Sequence, residues 1–291
     1  MEAWLFYALG AATFCALTTV LAKIGLRNVD PHLAVAIRTV TVLAFAWIMV
    51  FIVGSGSEIF SADIRTLAFL ILSGLASGGA WLCFFKALKL GDVNKVVPID
   101  KSSTILTMLL AFIFLGEPVG PVMVMGMLLM GSGTWLMLDM KKATESDKAR
   151  SRAWIIFAFM SAVFASLTAI FGRIGIENIE PTLGTAIRTV AVVPMSWLMV
   201  YITKGQNKIR AIDKKSWVFL VFSGIAVGSS WLLFYRALQV GSASLVVPID
   251  KLSIVIVMGF ARLFLGETFS KRSLIGLALL TIGTLLPVVF Y

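Results

Sequence analysis

Val96–Lys101 reads VVPIDK, and Val246–Lys251 reads VVPIDK again. In both places the flanking sequence is almost wholly apolar, so an Asp beside a Lys is costly to keep unless each charge finds a partner or water. Working outward, the match does not stop at six residues. Between 73–101 and 223–251, 16 of 29 positions are identical at a constant offset of 150. AIRTV at 36–40 returns at 186–190, FKAL at 85–88 is answered by YRAL at 235–238, and LGE recurs at 115–117 and 265–267. Shared apolar composition would not hold register without a gap, so the chain is an internal duplication.

The duplicated unit reads as a membrane unit. The chain is 59% hydrophobic and 14% charged, against about 25% charged in soluble proteins. Apolar runs of roughly 20 residues recur along its whole length, the size needed to cross a hydrocarbon layer. Stretches such as LAFAWIMVFIV at 43–53 lack the alternation of a membrane barrel strand. The expected fold is an all-α membrane protein of ten transmembrane helices. They are expected at 3–24, 33–53, 66–88, 94–115, 119–138, 153–174, 183–203, 216–238, 244–265 and 272–290. The first run has no basic flank and no small-residue cleavage site, so it reads as a permanent span. DMKKATESDKARSR at 139–152 is the one polar linker. The domains are expected at 1–140 and 153–291, with the charged linker at 141–152.

Five spans per copy is an odd number, so the second copy must enter the membrane from the opposite face. Two inverted five-helix repeats follow, with a substrate site expected at their interface near mid-membrane. Loop charge gives the orientation. The face with the loops after spans 1, 3, 5, 7 and 9 carries 15 Lys or Arg, span edges included, and the other face carries Arg65 apart from span-edge residues. The positive-inside rule puts both termini on the extracytoplasmic side, and the plasma (inner) membrane is the expected location. The loop after span 2 holds one basic residue and its counterpart after span 7 holds five, a divergence that inversion demands. The net charge of +10 is thereby used for orientation, and nucleic acid is not an expected partner.

VVPIDKSSTILTMLLAFIFLGE at 96–117 and VVPIDKLSIVIVMGFARLFLGE at 246–267 carry a resemblance. With five spans, a Gly-rich third span and a fourth ending in LGE, each half resembles an EamA domain of the drug/metabolite transporter superfamily. The resemblance covers essentially the whole chain. Each half is also similar to stand-alone five-span EamA proteins with a PIDK segment. It implies inverted repeats around a central cavity, alternating access, and a substrate among amino acids, nucleotide sugars, drugs and other metabolites. Such a fold does not name the substrate. Many members carry a basic loop after span 2 and so an inside N-terminus, a pattern from which this chain departs.

The ionisable residues inside the spans are Lys23, Arg38, Lys86, Asp100, Lys101, Arg173, Arg188, Arg236, Asp250, Lys251 and Arg262, and all but Arg262 fall in pairs 150 apart. Each costs at least ~2.5–3.5 kcal/mol at mid-bilayer. Asp100 lies ~9 Å into span 4 at ~1.5 Å per residue. Arg38 lies at similar depth in span 2, so the two are expected to meet, and Arg188 to meet Asp250 near the opposite face. Pro98 and Pro248 each remove a backbone donor just before the Asp. Three roles stay open for these sets: static neutralisation, ion pairs that break and form alternately as gates, and direct contact of Arg38, Lys101, Arg188 and Lys251 with substrate. Each Arg–Asp–Lys set nets one positive charge, which favours a carboxylate or phosphate on the substrate. Trp81 and Trp231 lie well inside their spans, to stack on substrate or fill the core. Gly74/Gly78 and Gly224/Gly228 stand four apart, as close helix packing requires. Glu117 and Glu267 are expected to cap the helix that follows each of them.

The expected function is a secondary transporter of a small polar or amphiphilic metabolite, worked by rocking one half against the other. The alternative is a lipid or lipid-linked-sugar flippase. No GxxxxGK[ST] stands in the chain, which argues against direct ATP drive. A proton stays open as coupling ion, on Asp100 or Asp250. There is no nucleophile–base set, no His pair and no Cys/His cluster, so neither an enzyme nor a metal or other cofactor is expected. Cys15 and Cys83 read as thiols and His32 as a solvated loop residue. A fused pair of halves needs no oligomer to complete a pore.

Overall fold

The computed structural model describes residues 3–25, 29–90, 96, 99–100, 102–137, 153–264 and 270–290, and the described residues form helices and no strands. The first half contributes α1 (Ala3–Gly25), α2 (Pro31–Val53), α3 (Ile64–Leu90), α4 (Ser103–Leu115) and α5 (Pro121–Met137). The second contributes α6 (Ala153–Gly175), α7 (Pro181–Ile202), α8 (Lys214–Val240), α9 (Ala243–Lys251), α10 (Ser253–Phe264) and α11 (Lys271–Phe290). Short 3₁₀ turns follow α2 (η1, Ser55–Phe60) and α7 (η2, Gly205–Ala211).

Local chemistry sets the ends. Asp30 accepts the His32 N–H at 3.0 Å before Pro31 opens α2. Glu180 accepts the Thr182 and Leu183 N–H groups before Pro181 opens α7. Both use an acceptor at the cap and a proline at the first helical position. Seven of these helices (α1, α2, α3, α6, α7, α8 and α11) are long and apolar enough to cross a membrane. The ten unbroken spans expected are therefore not all present as such. α4 and α5 are apolar but have 13 and 17 residues. The expected span at 244–265 is divided at Leu252 into α9 and α10. Pro248 lies inside α9, four residues before the division, and having no N–H it leaves the Ser244 carbonyl without its helical donor. The Leu252 N–H then bonds the Ile249 carbonyl at 2.9 Å, a tightened turn that Ser102 and Ile99 repeat at 3.2 Å in the first half.

Packing follows the duplication. α1 packs on α8 as α6 packs on α3, and α2 packs on α8 as α7 packs on α3. The counterparts α2 and α7 also pack on each other, as do α5 and α11. Asp30 at the start of α2 bridges Lys208 beyond the end of α7 at 3.3 Å. Glu58 beyond the end of α2 accepts the N–H of Glu180 at the start of α7 at 3.1 Å. Thus α2 and α7 run antiparallel. α5 and α11 do too: Gly126 meets Gly283, and Gly133 meets Gly276.

Two mixed bundles result, α1/α2/α8/α10 and α3/α4/α6/α7, each with helices from both halves. The expected rocking of one sequence half against the other does not suit this packing, because each half's main partners lie in the other. Close approach depends on the paired glycines. A Cβ on Gly74 would lie 2.6 Å from the Arg188 carbonyl oxygen, and one on Gly224 2.6 Å from Thr41 Cβ. Gly78 faces Met195 and Gly228 faces Phe45 in the same way. These glycines therefore serve helix packing. Phe51, Ile113 and Ile156 turn outward, as a lipid-facing surface requires.

Candidate functional site

Two cavities meet at mid-bundle. The larger, about 430 Å³, is lined by Arg38, Asp100, Trp81, Phe84, Phe85 and Trp231 among others. The smaller, about 200 Å³, is lined by Arg188, Asp250, Lys251, Phe234, Tyr235 and again Trp231. Ala165 and Val227 also line both. The 150-residue shift carries Arg38 and Asp100 of one cavity onto Arg188 and Asp250 of the other.

Arg188 is 3% exposed. Its Nε donates to Ser73 Oγ at 3.0 Å and its Nη2 to Ser77 Oγ. The guanidinium carbon lies 4.8 Å from the Trp231 ring centroid and 5.2 Å from that of Tyr235, within cation–π range. Gly74, between the two serines, lets α7 lie close enough on α3 for both bonds. Arg38 is held differently. Its Nη2 donates to Thr18 Oγ1 at 2.9 Å, and Thr18 Oγ1 donates to the Ser223 carbonyl at 2.6 Å. Among the described residues no ring stacks on Arg38 as two do on Arg188. Sequence divergence accounts for part of this: Ser77 has Val227 as counterpart, and Tyr235 has Phe85. One donor on each arginine, Arg38 Nε and Arg188 Nη1, is buried without a hydrogen-bond partner among the described residues.

The carboxylates do not neutralise the arginines. Asp100 Oδ1 accepts from Ser161 Oγ at 2.7 Å, and Asp250 Oδ2 lies 3.5 Å from Lys251 Nζ. The expected pairs Arg38–Asp100 and Arg188–Asp250 share a cavity, but neither is an ion pair among the described residues. Rotation about the helix axes turns both arginines toward hydroxyl-bearing neighbours instead. Trp81 and Trp231 are half-buried cavity-lining residues. Lys101 lies outside the described residues, as do Glu267, the 141–152 linker and the side chains of Lys23 and Arg262. Lys86 and Arg236 are exposed.

Two other expectations change. Glu117 does not cap the helix after it. Gly116 takes a left-handed conformation (φ 66°) at the end of α4, as glycine readily does, and the chain turns. Glu117 then accepts the N–H groups of Ala243 and Ser244 at 2.6 and 2.8 Å, at the start of α9 in the other half. His32 is not simply solvated: it is half-buried, with its ring centroid 4.3 Å from that of Phe85. Ser73, Ser77, Thr18 and Tyr235 were not among the expected site residues. The four-residue spacing of Ser73 and Ser77, in step with Gly74 and Gly78, was the available signal for two of them.

The sequence profile of the EamA-like transporter family matches residues 2–139 and again residues 152–289. A stretch of 140 residues, 48% of this chain, is 42% identical to 99% of an uncharacterized transporter from the cobO 3' region of a Sinorhizobium species. A stretch of 132 residues, 45% of this chain, is 31% identical to 93% of an uncharacterized protein of Methanocaldococcus jannaschii. Each of these relatives is thus about one repeat long. A solved crystal structure superposes over 97% of this chain and 96% of its own with a TM-score of 0.78 at 19% identity, a likeness of fold.

Proposed function

The chain belongs to the EamA-like transporter family, and from that premise we propose that it is a secondary transporter carrying a small anionic metabolite by alternating access. It is a multi-pass membrane protein. In this reading it crosses the bilayer ten times in two inverted halves, the ninth crossing being interrupted just after its PIDK segment. The antiparallel course of α2 against α7 and of α5 against α11 supports the inversion. The loop charges favour a plasma-membrane orientation with both termini outside.

One observation carries the substrate class. Each cavity is lined by a guanidinium, Arg38 in one and Arg188 in the other, that no carboxylate pairs with among the described residues, and a carboxylate or phosphate oxygen would meet it in a charge-assisted bond. The larger cavity, at about 430 Å³, has the size of an ordinary small-molecule site. Arg38, Arg188 and the Lys101 and Lys251 beside the acids then contact or gate the substrate, and Trp81 and Trp231 flank it. The unequal cavities support alternation. On one side Arg188 of one bundle stacks on Trp231 and Tyr235 of the other; on the opposite side the matching contact of Arg38 with Trp81 and Phe85 is open. Transport is the exchange of these two arrangements by movement of α1/α2/α8 against α3/α6/α7. Asp100 and Asp250 are the groups to carry a coupling proton.

The test is uptake into proteoliposomes from a panel of labelled carboxylates and phosphates, with and without a proton gradient. Uptake of at least one, lost in Asp100→Asn combined with Asp250→Asn, is expected. Lipid reorientation without solute uptake would instead make the protein a flippase.

A further inference from the structure

The Glu117 contact ties the end of α4 to α9, the segment that leads into α10 of the other bundle. Glu117 follows α4, which packs on α6, whereas α9 lies between α4 and α1 and runs on into α10. Helix α9 is a rod of nine residues, buried from Ala243 to Ile249. Its own cap residue, Ser242, makes no capping hydrogen bond. The start of α9 is instead held by the two carboxylate oxygens of Glu117, in charge-assisted bonds of the strong kind. Its far end carries Asp250 and Lys251, and beyond them Leu252 separates it from α10. The rod therefore has a break at one end and a carboxylate clamp at the other.

Its position gives the clamp a consequence. A cavity of about 820 Å³ opens at this end of the bundle, lined by Glu117, Arg173, Glu177, Gln239 and Leu245. Val247, Asp250 and Lys251, further along the same rod, line the smaller site cavity. Helix α9 is thus part of the wall between the end cavity and the site. About six residues, ~9 Å of helix, separate the clamped amide of Ser244 from Asp250.

We propose that Glu117 is a positioning residue and a releasable tie between the bundles: it sets the place of Asp250 and Lys251 through α9, and it lets go when this face of the protein opens. The LGE triplet acquires a physical reading: Leu115 packs against the core, Gly116 makes the left-handed turn, and Glu117 reaches the other half. The proposal rests on the transport reading above, but its test needs no substrate.

Cys15 lines the smaller cavity and reports its opening. In a Cys83→Ser background reconstituted in nanodiscs, the rate at which a charged maleimide modifies Cys15 is followed by peptide mass. Glu117→Gln presents only one acceptor oxygen to two N–H groups, and it should raise that rate about tenfold with little change in unfolding temperature. Glu117→Cys paired with Ala243→Cys, closed by a disulfide or a short bis-methanethiosulfonate bridge, should lower it about tenfold below the reduced pair, a ratio of ~1.4 kcal/mol. A static cap would leave labelling unchanged on bridging, because it would never open. Equal rates in the bridged and reduced forms, or in Glu117→Gln and the parent, overturn the proposal. A protein that takes up no solute in liposomes but passes this test would overturn the transport reading alone.

Discussion

Arg188 places its guanidinium 4.8 Å from the Trp231 ring centroid while its Nε donates to Ser73 Oγ at 3.0 Å. The serine lies on α3, in the same bundle as Arg188, and the tryptophan on α8, in the other. A single side chain is therefore anchored in one bundle and stacked on the next, at the closed side of the site. Cation–π contacts of this kind are worth about 0.5–2 kcal/mol. Trp231→Leu should accordingly speed maleimide modification of Cys15 by a factor of about 2 to 30. Modification at the parent rate would show that the stack does not hold this side closed.

Arg38 should govern affinity. Removing a charged donor from a ligand contact costs about 1.5–3 kcal/mol. Arg38→Ala should thus weaken substrate-induced thermal stabilisation and uptake roughly 10- to 150-fold. Arg38→Lys should recover only part of the loss, since a lysine has one point of charge where arginine has a planar fork. Uptake of anions at the parent level in Arg38→Ala would remove the anion from the proposed substrate class.

The glycine contacts make a prediction about stability. Gly74→Ala sets a methyl group 2.6 Å from the Arg188 carbonyl oxygen, and overpacking of this sort costs about 1–3 kcal/mol. Among the described residues nothing lies within 4 Å of a Cβ built on Gly259, so Gly259→Ala should stay within about 0.5 kcal/mol of the parent. Thermal unfolding in detergent measures both. Equal unfolding temperatures for the two variants would contradict the packing role of Gly74.

Asp30 makes one about pH. Burial pushes its carboxyl up, but Lys208 and the backbone N–H groups of His32 and Leu33 together pull it below its ordinary value of 3.8. A depressed carboxylate stabilises the fold fully above its unfolded pKa, and that stabilisation is lost as pH falls through the folded one. Asp30→Asn still caps α2 but cannot pair with Lys208. Its unfolding temperature should therefore fall less than the parent's between about pH 5 and pH 2. Parallel curves would show that the Asp30–Lys208 bridge contributes nothing.

Much of the architecture was legible because it is written locally or by repetition. Apolar run length signals helices, and the constant 150-residue offset signals two matching sets of them. Gly74 and Gly78 announced a close helix contact by their spacing. Which charged residues lie near one another was more legible than which of them pair. Arg38 with Asp100 and Arg188 with Asp250 do share cavities, yet Arg188 bonds Ser73 and Ser77, and Asp100 takes its bond from Ser161. Glu117 was assigned to the nearest helix and serves one 126 residues away.

The sequence by itself determined that this is a duplicated bundle of apolar helices with its few charges at matched positions 150 residues apart. Those properties depend on the cost of placing side chains in hydrocarbon, which is additive along the chain. Only the tertiary structure decided which charge meets which partner, and that the working bundles mix the halves. A contact between helices depends on how each is rotated about its own axis and which face a glycine lets approach. That is a joint property of residues more than a hundred positions apart, and no local pattern records it.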